Sequence, residues 1–223
     1  MTAAVFLSDL HLGNHRCQAT AISAFLKGES RKLEGLGYRS IDDVPQLYLV
    51  GDVFDDLAPA TWPKPHRDVV ADLLAFPRIN YAPGNHDEWA RNLLGIAAGK
   101  VTIRDEFDYV DARGKRFLVT HGDQFDPMMR YTFKIVPRYV RAFICDCASG
   151  WHSGSYAHRI ENNAVEAAAR RGYDGVICGH THRPDQFVAD RVGARPVEYV
   201  NCGDWLHHRT AVIDAGVGPR LIG

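Results

Sequence analysis

The side chains in this sequence that could do chemistry stand in five short blocks, and each block directly follows an apolar run. Histidine, aspartate and asparagine dominate these blocks, and imidazole, carboxylate and amide groups are the ligands of divalent transition metals. The blocks read D-x-H at 9–11, G-D-x-x-D at 51–55, G-N-H-D at 84–87, H-G-D at 121–123 and G-H-T-H at 179–182. Five blocks in this order predict a metal site.

Seven side chains are the candidate ligands: Asp9, His11, Asp52, Asn85, His121, His180 and His182. Seven nitrogen and oxygen donors are too many for one zinc-type site, and they suit two metals that share a carboxylate. The absence of cysteine among them disfavours an iron–sulfur or copper(I) site. The predicted cofactor is therefore two divalent metal ions, with Mn²⁺ as the first expectation and Fe, Zn or Co as alternatives.

The spacing within the blocks has a physical rationale. Side chains two residues apart in an extended chain point the same way. We therefore expect Asp9 and His11 to bind the same group, and His180 and His182 likewise. The glycines at 51, 84 and 179 allow tight turns and a close approach of the backbone to the ligand.

The apolar runs before the blocks predict strands, and two helical patterns separate the first three of them. The expected strands of this part are 3–8, 46–50 and 78–82, and the expected helices are 17–27 and 65–76. This alternation predicts a largely parallel sheet, and ligands bind beyond the carboxyl ends of such strands. Short strands follow at 101–103, 107–110, 116–120, 175–178, 186–189, 197–200 and 210–213, with a helical block at 127–171.

Composition and charge narrow the function classes. The 223 residues include 26 basic and 27 acidic side chains, so the net charge of −1 favours no nucleic-acid partner. Five scattered cysteines are typical of free thiols in a reducing compartment rather than of a disulfide framework. We expect no signal peptide and no membrane-spanning run, and hence a cytoplasmic protein.

The five blocks together resemble the calcineurin-like metallophosphoesterase family, over residues 9–182. Within that family the chain is most similar to the bacterial UDP-2,3-diacylglucosamine pyrophosphatase-like group. This closer likeness is carried by L-S-D-L-H-L-G at 7–13, G-D-V-F-D at 51–55, H-G-D-Q-F-D at 121–126 and G-D-W at 203–205. One block departs from it, because His86 stands where the best-defined lipid A pathway pyrophosphatases carry arginine.

The resemblance implies an α/β fold, a four-layer α/β/β/α sandwich with a helical insertion. Residues 1–223 would form a single domain, with the lid-like insertion around 127–172. One metal would be held by Asp9, His11, Asp52 and His182, and the other by Asp52, Asn85, His121 and His180, with Asp52 as the bridge. His86 would act beside the metals as a catalytic residue, and Asp55 would orient it.

The implied function is hydrolysis of a phosphodiester or pyrophosphate bond by a metal-bridging hydroxide, on a substrate resembling UDP-diacylglucosamine. A general phosphatase, a nuclease and a non-catalytic protein-interaction scaffold of the same fold are the alternatives. Basic residues of the insertion, with Arg138, Arg141 and Arg159 as candidates, would bind a phosphorylated small-molecule or lipid-linked substrate. These basic residues could instead form a solvated helix face, or they could bring the protein to the inner face of the membrane.

Overall fold

The computed structural model describes residues 3–28, 44–56, 58–129, 154–190 and 195–223. Three α-helices lie in these ranges: α1 (Ala19–Leu26), α2 (Lys64–Leu73) and α3 (Ser155–Arg170). Twelve strands accompany them there: β1 (Ala4–Leu7), β2 (Gln46–Val50), β3 (Ile79–Ala82), β4 (Ala97–Ala98), β5 (Val101–Ile103), β6 (Glu106–Val110), β7 (Arg116–Thr120), β8 (Gly175–Cys178), β9 (Asp185–Ala189), β10 (Val197–Asn201), β11 (Ala211–Asp214) and β12 (Pro219–Ile222). Two 3₁₀ helices complete the list: Glu88–Leu93 follows the G-N-H-D block, and Asp123–Phe125 begins at the last residue of the H-G-D block.

The strands form two sheets. Seven strands pair in the order β12-β11-β1-β2-β3-β5-β4, and five pair in the order β6-β7-β8-β10-β9. β1, β2, β3 and β5 run parallel to one another, as do β7, β8 and β10. Their carboxyl ends therefore bring five strand-end loops to the site.

The alternation of side chains along the strands builds four layers. On β1, Val5 and Leu7 pack toward α1 and α2, whereas Ala4 and Phe6 face the second sheet. The outer face of the five-stranded sheet, including Leu118, packs against α3. Since each sheet is apolar on both faces, each needs a cover on both sides. The predicted α/β/β/α sandwich is confirmed.

The predicted strands are present, with ends that differ by at most one residue. The short edge strands β4 and β12 were not predicted, because a two-residue strand and a run that begins with proline leave little periodicity. Of the predicted helical block, α3 is described, and residues 130–153 lie outside the described residues. Within the described part, we find no helix with the length and apolar character to cross a bilayer.

Candidate metal centre

The five predicted blocks meet in the loops at the carboxyl ends of strands from both sheets. Three of them follow β1, β2 and β3 of the seven-stranded sheet, and two follow β7 and β8 of the five-stranded sheet. Backbone hydrogen bonds tie the loops together, with Asp9 N donating to Gly51 O (3.0 Å) and Gly179 N donating to His121 O (2.9 Å). Two sheets, rather than the single sheet of the sequence argument, supply the ligands.

A first cluster consists of Asp9, His11, Asp52 and His182, whose ligand atoms all lie within 4.8 Å of one another. His182 Nε2 lies 3.0 Å from Asp9 Oδ1 and 3.3 Å from His11 Nε2. Asp9 Oδ1 is buried and accepts no hydrogen bond. A buried carboxylate oxygen that faces two imidazole nitrogens without a proton donor is suited to a cation, so these residues fit a metal.

A second cluster consists of Asn85, His121 and His180. Asn85 Oδ1 lies 3.2 Å from His121 Nε2 and 3.0 Å from His180 Nδ1. Asp52 Oδ2 lies 3.3 Å from His121 Nε2, so the carboxylate of Asp52 adjoins both clusters. His121 Nδ1 donates to the carbonyl oxygen of Val50 at 2.9 Å, so Nε2 is the ring nitrogen that faces the two oxygens.

The electrostatics of both clusters favour positive charge. Burial lowers the pKa of His121, but the carboxylates of Asp52 and Asp9 outweigh it and raise that pKa to about 10. Burial raises the pKa of Asp52, yet His121 and His86 hold it well below its ordinary value. The carboxylates that favour a proton on His121 would equally favour a divalent cation in the place of that proton.

The backbone at this site is strained. Five of the predicted ligands have a positive φ, between 51° and 69°: Asp9, His11, Asp52, His180 and His182. In the described ranges, Arg209 is the one further non-glycine residue with such a φ. Left-handed conformations cost side-chain-bearing residues about 1 to 3 kcal/mol each and concentrate at functional sites.

The expectation that extended backbone aligns each pair was therefore wrong. The backbone of both pairs is left-handed, and His182 lies in the first cluster whereas His180 lies in the second, which is the division that the family resemblance implies. Asp9 and His11 do share the first cluster, through the same left-handed geometry.

Glycine is required where the loops press against the ligands. A Cβ atom on Gly84 would lie 2.2 Å from Asp52 Oδ1, and one on Gly179 would lie 1.8 Å from the hydroxyl oxygen of Ser8. Both distances are far below van der Waals contact. The close backbone approach predicted for these glycines is present.

Asp55 contacts two histidines. Its Oδ1 lies 2.6 Å from His11 Nδ1 and 2.9 Å from His86 Nδ1, while Asn14 donates to Oδ2 at 2.7 Å. Burial raises the pKa of Asp55, but the two imidazoles bring it far below its ordinary value. The sequence predicted the contact with His86 and missed the one with His11, which leaves His11 Nε2 for the first cluster. His86 itself lies next to Asp52, whose Oδ1 accepts from the His86 backbone at 2.8 Å.

Two further carboxylates support the ligands, and sequence reasoning assigned neither of them a role. Asp126 Oδ2 lies 3.0 Å from His180 Nε2 and directs His180 Nδ1 toward Asn85. Burial raises the pKa of Asp126, but its bonds with His180 and Tyr156 lower it to about 2. Asp87 is fully buried and accepts from the backbone of Val53 at 2.8 Å, and from Tyr81 and Gly84. Asp126 ends the H-G-D-Q-F-D motif and Asp87 ends the G-N-H-D block, and these positions were the sequence signal that could have assigned them a role.

Arg159 is exposed on α3, and Arg138 and Arg141 lie outside the described residues. Their role stays a prediction.

Residues 3–184 match the profile of the calcineurin-like phosphoesterase family, a range that holds both clusters and all five blocks. The chain belongs to this family. It is 25% identical to a UDP-2,3-diacylglucosamine hydrolase of Enterobacter sp. (strain 638), over 99% of this chain and 98% of the relative. It is 28% identical to the protein of that name in Stenotrophomonas maltophilia (strain K279a), over 95% of each.

Among solved structures, Vacuolar Protein Sorting 29 from Cryptosporidium parvum superposes with a TM-score of 0.50 at 13% identity, covering 98% of this chain and 88% of that one. This likeness shows the fold. Family membership, together with relatives named as hydrolases, makes the protein a metal-dependent hydrolase of phosphoester or phosphoanhydride bonds. The predicted family and enzyme class are thus confirmed.

Proposed function

We propose that this phosphoesterase uses a dinuclear metal centre to hydrolyse a phosphodiester or pyrophosphate bond. One observation carries the proposal: two clusters of donor atoms lie side by side and share the carboxylate of Asp52. The first metal would be held by Asp9, His11, Asp52 and His182, and the second by Asp52, Asn85, His121 and His180. We propose Mn²⁺ as the metal, on the mixed imidazole and carboxylate donor set.

Two divalent cations in these positions supply positive charge for the phosphate oxygens and lower the pKa of water. The chain's own residues do the rest. His86 is 20% exposed at the edge of the first cluster, where its ring can reach a bound phosphate ester. We propose that His86 donates a proton to the leaving oxygen, and that Asp55 holds its Nδ1 so that Nε2 points outward.

We propose a substrate that resembles UDP-diacylglucosamine, with its pyrophosphate at the two clusters. The names of the relatives, and matches that span nearly the whole of both chains, support this substrate class. The protein would then work in the cytoplasm, peripherally at the inner face of the membrane, without a nucleic-acid partner. His86 favours a second candidate, a more general phosphodiesterase, because arginine is expected at this position in the lipid A pathway enzymes.

The test compares kcat/KM for a UDP-linked diacylated sugar, a nucleotide diester and a simple phosphomonoester. We expect the acylated UDP-sugar to give the highest value and the monoester the lowest, because binding of the sugar and acyl groups can be used in the transition state. Arg138→Ala and Arg141→Ala should lower the first value most. A higher value for the plain diester would favour the second candidate, and a monoester preference would contradict both.

Elemental analysis tests the metal centre separately. The purified protein should hold close to two transition-metal ions per chain, and a chelator should abolish its activity. Full activity with one metal per chain would contradict the dinuclear centre.

A further inference from the structure

A single arginine side chain joins two of the strand-end loops. Arg91 lies in the 3₁₀ helix that follows the G-N-H-D block. Its Nη2 atom lies 2.9 and 2.8 Å from the two carboxylate oxygens of Asp123 and 3.2 Å from the carbonyl oxygen of Pro83. Its Nε atom lies 3.3 Å from Asp105 Oδ1. One guanidinium thus holds the loop after β3 and the loop after β7.

The two contacts are placed symmetrically about the second cluster. Pro83 stands two residues before Asn85, and Asp123 stands two residues after His121. Asn85 Oδ1 and His121 Nε2 are 3.2 Å apart, and they come from different sheets. The distance between these two ligand atoms therefore depends on how the two loops are held together.

The contact is largely shielded from water. The side chain of Asp123 is 5% exposed and that of Arg91 is 27% exposed. Removing one charge from such a pair leaves the other uncompensated, which is far more costly than losing a surface ion pair. A lysine at 91 would keep the charge, but its single ammonium cannot reproduce the separate Nη2 and Nε contacts.

We propose that Arg91 is a positioning residue for the metal held by Asn85, His121 and His180. It acts through Pro83 and Asp123, by setting the separation of Asn85 from His121, and it touches no metal itself. This inference rests on the proposed dinuclear function and extends it to a residue outside the five blocks.

The effect of Arg91 is confined to one half of the centre. Asp9 and His11 of the first cluster are held by other groups: Ser8 Oγ and the backbone of His180 donate to Asp9, and Asp55 contacts His11. A variant at 91 should therefore weaken one metal and leave the other in place. A general loss of stability would weaken both.

The experiment titrates Mn²⁺ into chelator-treated protein and measures heat release, with two sites fitted. We expect Arg91→Gln to keep one site at wild-type affinity and to weaken the other by about 10- to 100-fold, as is typical when a group supporting a metal ligand is removed. Arg91→Lys should show a smaller loss. Arg171→Gln is the matched control, since it makes the same charge change at an exposed ion pair with Glu106 and should leave both sites unchanged.

Asp123→Asn weakens the same ion pair from its other side. It replaces Arg91→Gln if circular dichroism shows that Arg91→Gln does not fold. In the double variant with Arg91→Gln, the weaker site should lose no more than in the more affected single variant. Unchanged binding at both sites, or an equal loss at both, would overturn the role of Arg91 alone. A wild-type protein that binds a single Mn²⁺ would instead overturn the dinuclear proposal, and this inference with it.

Discussion

At the residue scale, the partner of each histidine decides which ring nitrogen is left for a metal. His11 and His121 present Nε2, because their Nδ1 atoms lie against Asp55 and the Val50 carbonyl. His180 presents Nδ1, because its Nε2 lies against Asp126. These contacts fix both the tautomer and the orientation of the ring, and they account for the buried carboxylates around the centre.

His86 and Asp52 should separate catalysis from metal binding. We expect His86→Ala to lower kcat by about 10²- to 10⁴-fold, the usual range for loss of general acid catalysis, with metal content nearly intact. Asp52→Ala should deplete both metals, because its carboxylate adjoins both clusters. Activity assays paired with elemental analysis of the two variants check this. Equal metal loss in both variants would contradict the separate roles.

At the scale of the elements, the ligands depend on sharp turns at the ends of otherwise regular parallel strands. Backbone N–H groups in the loops after β2 and β3 donate to the carboxylate of Asp87, and these hydrogen bonds hold the turns together. Glycine at 84 lets one loop lie directly against the carboxylate of Asp52. The stability of the packed sheets thus offsets the free-energy cost of the left-handed backbone at the ligands.

Gly84→Ala tests this dependence. The added Cβ would lie 2.2 Å from Asp52 Oδ1 and would displace it, so we expect metal content to fall well below that of the wild type. Gly114→Ala is the control, because no atom lies within 4 Å of the new Cβ; its φ of +79° adds a backbone strain that Gly84 does not have, so the control tests strain without a clash. That control should lose about 1 kcal/mol of stability and keep its metals. If Gly84→Ala keeps both metals, the close approach has no role in the centre.

At the scale of the whole molecule, the core between the two sheets holds the two halves of the site in register. Phe6 and Tyr48 stack there with ring centroids 4.7 Å apart, and Tyr109 meets Phe6 edge-on at 5.0 Å. Burial raises the pKa of Tyr48 to about 12, despite the opposing charge of Arg78. The neutral phenol is therefore the form that the folded core accepts.

This burial predicts a loss of stability at high pH. Below about pH 10 the phenol of Tyr48 is neutral in both the folded and the unfolded chain, so it adds no pH dependence to the free energy of unfolding. Between about pH 10 and 12 it ionises in the unfolded chain only, which favours unfolding by about 1.4 kcal/mol per pH unit. Urea unfolding over this range should show a shallower decline for Tyr48→Phe than for the wild type. Equal slopes would mean that the phenol ionises in the folded core.

The ligand types, their order and the strands before them were all readable from the sequence, because each block is local and each strand end is marked by apolar residues followed by glycine or aspartate. The resemblance of these blocks to one family also predicted the four layers. Some strand ends were placed one residue off, and the edge strands β4 and β12 were missed because a two-residue strand and a run that begins with proline leave little periodicity.

The resemblance implied which ligands share a metal, and only the tertiary structure decided the backbone conformation and the supporting contacts of those ligands. Spacing alone predicted that His180 and His182 bind together, whereas in the folded chain they lie in different clusters, on left-handed rather than extended backbone. The contacts of Asp126 with His180 and of Arg91 with Asp123 join positions 54 and 32 residues apart. The first contact joins loops after neighbouring strands of one sheet, and the second joins loops of the two sheets. Both therefore depend on strand pairing and packing in the folded chain rather than on any local pattern.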